Sequence, residues 1–89
     1  MDQAFLQVTY RRGRALAAYY YLPRPEGARS VRTAEVEPGL LVDYDGNGTP
    51  LGIEIADPRA VTLDALNRVF ASLGLPAIPP EEIAPLSAA

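Results

Sequence analysis

Residues 40–56 read LLVDYDGNGTPLGIEIA, and this stretch predicts a β-hairpin. Asn47-Gly48 at its centre is the dipeptide most typical of a two-residue type I′ turn, because both central residues of that turn have a positive φ. A turn there places apolar residues opposite each other on one face of the hairpin, and a slip of one residue would destroy the match. The turn and the hydrophobic pattern therefore predict the same register. The predicted pairs are Leu40–Ile55, Val42–Ile53, Tyr44–Leu51 and Gly46–Thr49 and, on the other face, Leu41–Glu54, Asp43–Gly52 and Asp45–Pro50.

Two alternating segments before residue 23 predict another hairpin. Residues 4–10 alternate between apolar and polar side chains, with Leu6, Val8 and Tyr10 on one face, which fits a half-buried strand. Residues 15–22, ALAAYYYL, also predict a strand, since consecutive tyrosines favour a pleated sheet and the segment is short. The polar residues 11–14 connect the two strands. In the second strand, the predicted faces carry Leu16, Ala18, Tyr20 and Leu22 on one side and Tyr19 and Tyr21 on the other.

The remaining pattern completes an α+β fold. Residues 29–36 alternate again, and Pro38-Gly39 turns the chain into residues 40–56. Five short strands with mostly tight connections predict a largely antiparallel sheet, a meander of hairpins. The apolar period then lengthens, which predicts a C-terminal amphipathic helix that Thr62 caps and Gly74 ends, packed on the sheet. The residues at helical spacing are Leu63, Leu66, Val69, Phe70 and Leu73.

The length of 89 residues predicts one domain. We expect residues 1–75 to form a single α+β domain. Residues 76–89 are expected to form a proline-rich tail that is extended or frayed, apart from one short helical turn at residues 80–83. A chain of this size buries only roughly two-thirds of its unfolded surface, so packing against a second chain would stabilise it.

Composition narrows the classes of function. The chain has no cysteine and no histidine, which removes thiolate chemistry and the commonest general base and metal ligand. Its net charge of −3 argues against a general nucleic-acid binder, because the affinity of such a protein rests on neutralising phosphates. No signal-peptide pattern and no membrane-spanning apolar run occurs, so we expect a cytoplasmic protein that does not contact membranes.

Four residues around the central turn match the spacing of a calcium-binding EF-hand loop: Asp43, Asp45, Asn47 and Glu54. An EF-hand needs flanking helices, whereas the flanks here alternate as strands do, so a solvated hairpin tip is the main interpretation. Calcium binding at these residues stays an alternative. The carboxylates also have the separation of a catalytic pair, but so small a chain offers no evident cleft. We therefore predict no enzyme, no catalytic residue and no cofactor.

Arginines and tyrosines lie close together in the first predicted hairpin. Basic and aromatic side chains in combination bind single-stranded nucleic acid, and they also anchor protein interfaces. Because the net charge is negative, a protein-binding patch is the favoured interpretation and a nucleic-acid contact through Arg11, Arg12 and Arg14 is an alternative. The predicted interaction residues are Tyr19, Tyr20, Tyr21, Arg11, Arg12 and Arg14.

Three segments together carry a family resemblance: RTAEV at residues 32–36, GLLVDYD at 39–45 and LGIEI at 51–55. With them, the chain from about Val8 to Pro58 resembles the small bacterial and archaeal proteins of domain-of-unknown-function family 2283. The chain departs from that family at residues 11–14, where members usually carry an acidic turn, so no role of those acidic residues is transferred. The resemblance implies a compact, mostly antiparallel domain without a catalytic motif. It also implies an antitoxin-like partner-binding role, since some members occur in settings suggestive of toxin–antitoxin pairs.

These observations together predict a small non-enzymatic interaction module. We expect it to form a homo-oligomer, most simply a dimer, or to bind a small protein partner. Exposed sheet edges need covering or pairing, and this requirement favours self-association.

Overall fold

The computed structural model describes residues 3–86, and it contains five strands and two helices within that range. The predicted α+β class, with an antiparallel five-stranded sheet and a C-terminal helix, is confirmed. The elements are β1 (Phe5–Arg11), β2 (Arg14–Tyr21), β3 (Arg32–Glu37), β4 (Leu40–Tyr44), β5 (Pro50–Ile55), α1 (Leu63–Ser72) and α2 (Pro80–Ile83), followed by a 3-10 turn at Ala84–Leu86.

The strands lie in the order β1-β2-β5-β4-β3, and every neighbouring pair is antiparallel. After β2 the chain crosses to the far edge of the sheet to begin β3, and it returns through β4 to β5. Pairing of β2 with β5 then joins the two predicted hairpins, with Ala18 opposite Ile55 and Tyr20 opposite Ile53. The edges of the sheet are therefore β1 and β3.

One face of the sheet packs against α1, and we call it the covered face. Its central row runs across all five strands through Leu6, Tyr20, Ile53, Val42 and Ala34. Val42 and Ile53 are fully buried, and the predicted pairs Leu40–Ile55 and Val42–Ile53 are confirmed. The side chains of α1 that complete this core are Leu66, Val69 and Phe70.

The limits of α1 follow from its terminal residues, as predicted. Thr62 Oγ1 accepts a hydrogen bond from the Ala65 amide at 3.1 Å, which satisfies a free N–H group of the first turn. At the other end Gly74 has a φ of +74°, and the Leu75 amide donates to the Phe70 carbonyl at 2.9 Å. This is a Schellman motif, which glycine favours because it has no Cβ. No helix among residues 3–86 has the length and apolar character needed to cross a membrane.

The segment after α1 packs back on the covered face. Ile78 is 4% exposed and Leu86 is 2% exposed, and both belong to the core. The Ile78 amide also donates to Asn67 Oδ1 on α1 at 2.7 Å. The short helix at residues 80–83 forms where it was predicted, and residues 76–79 lie outside helices and strands. The expectation of fraying is corrected for residues 76–86, since Ile78 and Leu86 are buried. The boundary expected at residue 75 thus falls inside a packed unit, and residues 87–89 of the predicted tail lie outside the described residues.

The central turn differs from its prediction. Asn47 does not have a positive φ, whereas Gly48 has a φ of +82°, and the loop contains three residues rather than two. The Asp45 amide donates to the Thr49 carbonyl at 3.0 Å, and the Gly48 amide donates to the Asp45 carbonyl at 3.1 Å, which is the pattern of a type I turn followed by a G1 bulge. The reason is Asp45, whose Oδ1 accepts from the amides of Asn47 at 2.8 Å and Thr49 at 2.9 Å and so stabilises this longer loop.

A bulge compensates for the longer loop. Leu51 is an extra residue on β5, because Asp43 lies opposite Gly52 while Tyr44 lies opposite Pro50. The loop shifts the pairing by one residue and the bulge shifts it back. The predicted pairs Tyr44–Leu51, Gly46–Thr49 and Asp45–Pro50 are therefore wrong, whereas Asp43–Gly52 and Leu41–Glu54 are confirmed.

The first hairpin has the type I′ geometry that was expected of the second. Arg11 lies opposite Arg14, and both residues between them have a positive φ, +53° at Arg12 and +77° at Gly13. Thr9 lies opposite Ala17 while Tyr10 lies opposite Ala15, so Leu16 is an extra residue on β2 and forms a bulge. Leu16 is 56% exposed while Ala15 is buried, which corrects the prediction that Leu16 shares the face of Ala18, Tyr20 and Leu22.

Candidate interaction surface

The second face of the sheet, which we call the open face, carries two rows of side chains in register. The first row crosses from β1 to β3 through Phe5, Tyr21, Gly52, Asp43 and Thr33. The second row, one pleat further along, consists of Gln7, Tyr19, Glu54, Leu41 and Glu35.

Tyr19 leans out of the second row and covers Gly52 in the first. A Cβ atom at residue 52 would lie 2.2 Å from Tyr19 Cε1, so only glycine leaves room for the ring in this position. The Tyr19 hydroxyl donates to Asp43 Oδ2 at 2.7 Å, and the Thr33 hydroxyl donates to Asp43 Oδ1. One carboxylate thereby links side chains of β2, β4 and β3.

The environment of Tyr19 raises the pKa of its phenol to about 12. Burial against the sheet is the largest cause, and the hydrogen bond and charge of Asp43 add to it. The phenol is therefore a neutral donor at physiological pH, and its hydrogen bond to Asp43 holds the ring in place.

Tyr21 is the centre of an aromatic cluster at the β1–β2 side of the open face. Its ring stacks on Phe5 with a centroid separation of 4.4 Å and packs at a tilt against Tyr19 at 4.6 Å. The guanidinium of Arg24 lies 5.3 Å from the Tyr21 centroid, within the range of a cation–π interaction. Phe5 remains 47% exposed, so the cluster presents apolar surface to solvent.

The β5–β4–β3 side of the same face is acidic. Glu54 and Glu35 are exposed in the second row, and Asp43 is half-buried in the first. Leu41 lies between the two glutamates. The open face therefore combines an aromatic half with an acidic half.

The predicted interaction residues do not form one patch. Tyr20 lies on the covered face with an exposed fraction of 5%, where its ring meets Phe70 edge-on at 5.2 Å. Its hydroxyl donates to Glu82 at 2.8 Å. Burial is the largest cause that raises the pKa of the Tyr20 phenol to about 12, and the hydrogen bond and charge of Glu82 add to it. Tyr20 is thus a core residue and cannot contribute to an exposed surface.

The arginines Arg11, Arg12 and Arg14 lie at the turn of the first hairpin, where all three are exposed. With Leu16 they line a shallow concavity. Arg14 and Tyr19 are five positions apart, which corresponds to roughly 16 Å at the rise of a strand. The arginine turn is therefore separate from Tyr19 and Tyr21, and a nucleic-acid contact there stays an untested prediction.

The EF-hand spacing does not gather its residues into a loop of ligands. Asp43 and Glu54 belong to the open face, whereas Asp45 is engaged with two backbone amides of the turn and Asn47 is exposed at its tip. Among residues 3–86, no three histidine, cysteine, aspartate or glutamate side chains approach one another as metal ligands would.

Sequence reasoning missed several residues of this surface, among them Phe5, Arg24, Gly52 and Glu35. Alternation places Phe5 on the face of its strand opposite Leu6 and Val8, but no motif in the sequence marks it as a contact residue. Gly52 becomes meaningful only once Tyr19 is known to lie over it, and Arg24 lies in a loop without a pattern.

The comparison with protein families identifies the segment that carries most of this surface. Residues 17–57 match the model of a family described as "Protein of unknown function (DUF2283)". This segment, a little under half of the chain, is similar to that family. The predicted resemblance is therefore confirmed for β2 to β5, which hold Tyr19, Tyr21, Asp43 and Gly52, whereas Phe5 and α1 lie outside the match. No curated protein and no solved structure matches the chain.

Proposed function

We propose that the chain is a non-enzymatic protein-interaction module and that the open face is its contact surface. The observation that carries this proposal is the juxtaposition of an exposed aromatic cluster with acidic side chains on one face of a rigid sheet. Tyrosine and phenylalanine supply large contact areas at low entropic cost and are enriched at interfaces. The tyrosines Tyr19 and Tyr21 are already ordered by neighbouring contacts, so binding would immobilise little further side-chain freedom.

The chemistry of the face favours a partner segment that is both basic and apolar. Glu35, Asp43 and Glu54 attract arginine or lysine side chains, and the exposed ring of Phe5 accommodates apolar ones. An arginine of the partner can also stack on a tyrosine ring, as Arg24 does on Tyr21. The net charge of −3 adds a long-range attraction for such a partner.

A selection from displayed random peptides tests this proposal with the intact chain. We expect enriched peptides to combine arginine or lysine with apolar residues. Their binding should weaken by about tenfold or more, equivalent to ~1.4 kcal/mol, when Tyr21→Ala removes the centre of the cluster. Glu54→Gln should weaken binding less and reduce its dependence on salt, because screening acts on exposed charges.

Matched variants separate the open face from general effects. Leu16→Ala shortens another exposed apolar side chain, and Glu81→Gln removes a charge of the same sign from α2, on the covered side. Both should leave peptide binding unchanged. An absence of enriched peptides, or binders that respond equally to all four variants, would overturn the proposal.

A further inference from the structure

The two edge strands of the sheet differ in how they are protected against pairing with other chains. Three of the six residues of β3 are charged, Arg32, Glu35 and Glu37, and a bulge at Val36 interrupts its pairing with β4. Glu37 also forms an ion pair with Arg68 of α1 at 3.0 Å. Charged side chains and bulges are the features by which natural edge strands avoid further pairing.

β1 has fewer of these features. Its sequence FLQVTYR is uncharged up to Arg11 and contains no proline, and the extra residue of its bulged pairing lies on β2. Leu6 and Val8 are only half-buried in the same layer in which Val42 and Ile53 are fully buried. Among residues 3–86, the sheet thus ends at β1 with an apolar layer that is incompletely covered, and no other described strand pairs with the outer edge of β1.

We infer that β1 pairs antiparallel with β1 of a second copy of this chain, around a two-fold axis at Val8. With the two-fold axis at Val8, all seven residues of β1 pair with the second copy. It places Leu6 opposite Tyr10 and Val8 opposite its own equivalent, so the apolar layer of the covered face continues into the second copy. On the open face it places Phe5 opposite Arg11, a cation–aromatic pair, and Gln7 opposite Thr9, so no like charges oppose each other.

A second copy is the partner because the strand is complementary to itself in this register. Its aromatic residue at one end meets the cation at its other end, which is what a symmetric interface requires. The product is a continuous ten-stranded sheet whose two open faces point to the same side. One consequence rests on the proposed function: the dimer would present two peptide-binding faces and so gain avidity for a partner with two basic segments.

Light scattering on the intact chain over a series of concentrations tests this inference. The mass should rise toward twice the 9.6 kDa of one chain. The double substitution Gln7→Lys with Thr9→Lys puts like charges opposite each other across the axis and should give a folded monomer. The pair Gln7→Glu with Thr9→Lys changes the same two positions but places opposite charges across the axis, and it should restore the dimer.

The result that overturns the inference is a wild-type mass that stays monomeric at every concentration, or a dimer that both double variants retain equally. Circular dichroism checks that the variants are folded. The variant Tyr21→Ala keeps this test distinct from the proposed function: it should weaken peptide binding by about tenfold or more and still form the dimer. A dimer with no peptide binding contradicts only the proposed function, and peptide binding by a monomer contradicts only the dimer.

Discussion

The two faces of the sheet are built from the same strands and the same register, yet they differ in chemistry and in exposure. On β5, Ile53 points to the covered face and is fully buried beneath α1, while its neighbours Gly52 and Glu54 belong to the open face. The covered face gains stability by removing aliphatic side chains from water. The open face instead holds aromatic rings and carboxylates in place through stacking and hydrogen bonds, and it leaves them accessible.

Under the proposed function, this difference separates residues that stabilise the fold from residues that would contact a partner. Substitutions on the covered face should lower the free energy of unfolding, whereas substitutions on the open face should mainly weaken peptide binding. Gly52 is the exception on the open face. A substitution there should also lower the free energy of unfolding, because the Tyr19 ring packs over Gly52.

The largest expected loss of stability comes from Ile53→Ala on the covered face. Removing a fully buried aliphatic side chain leaves a cavity, and we expect the free energy of unfolding to fall by ~2–5 kcal/mol. Leu41→Ala is the matched change on the open face, where the leucine is half-buried, and should cost less than half as much. Urea unfolding measures both, and equal losses would contradict the separation of the two faces.

Gly52→Ala should give the next largest loss, ~1–3 kcal/mol, because the new methyl group displaces the Tyr19 ring. The hydrogen bond from Tyr19 to Asp43 would be lost with that movement. In a double-mutant cycle with Tyr19→Ala, the cost of Gly52→Ala should largely disappear, since the obstructing ring is absent. A cost that persists unchanged would mean that the ring does not determine the need for glycine.

Tyr19 and Tyr20 allow the same chemical change on each face. Tyr19→Phe and Tyr20→Phe each remove a hydrogen bond to a carboxylate and should cost ~1 kcal/mol at neutral pH. Both phenols have a pKa of about 12 in the folded chain against an ordinary value of 10.0. Their contribution to stability is therefore complete below pH 10 and is lost as the pH rises toward 12, because the unfolded chain ionises first.

Unfolding measured from neutral pH to pH 12 checks this prediction. Each phenylalanine variant should lose less stability than the wild type over the alkaline range. Parallel curves for all three proteins would show that neither phenol has a raised pKa.

The smallest expected change in stability is that of Glu54→Gln. Glu54 is exposed on the open face, so the free energy of unfolding should change by less than ~0.5 kcal/mol. Binding of a basic, apolar peptide should nevertheless weaken, most clearly at low salt. Thermal melting and peptide titration on the same sample measure the two effects, and a substantial loss of stability would give Glu54 a structural role that its exposure does not support.

Most of the covered face could be predicted because its causes are local. Alternation of apolar and polar residues predicts the strands. The pairs Leu40–Ile55 and Val42–Ile53 follow from the two apolar runs on either side of one turn. The cap at Thr62 and the glycine at residue 74 fixed the helix in the same way. The packing of Ile78 and Leu86 could not be predicted, since proline-rich residues around them gave no period.

The turns could not be predicted from their central dipeptides. The Asn47-Gly48 dipeptide favours a type I′ turn, but the Asp45 side chain stabilised a longer loop. Arg12-Gly13 took the type I′ conformation instead, with an arginine at a φ of +53°. Bulges at Leu16 and Leu51 then adjusted both registers, and a bulge depends on the partner strand as much as on its own sequence.

The open face was only half predictable. Alternation separated Tyr19 and Tyr21 from Tyr20, but the row that joins Phe5 to Asp43 and Thr33 depends on β5 pairing with β2. No local pattern encodes that strand order. Closeness in sequence also does not reveal that the arginine turn lies at the end of the first hairpin, apart from Tyr19 and Tyr21, or that Tyr20 is buried.

The measurement that tests the central claim most directly is an NMR titration of the intact chain with the tightest peptide from the selection. We predict that amide shifts concentrate at Tyr19, Tyr21, Gly52 and Glu54, and that Leu66 and Phe70 of α1 stay unchanged. Shifts concentrated on α1, on α2 or at the arginine turn would contradict the assignment of the open face as the contact surface.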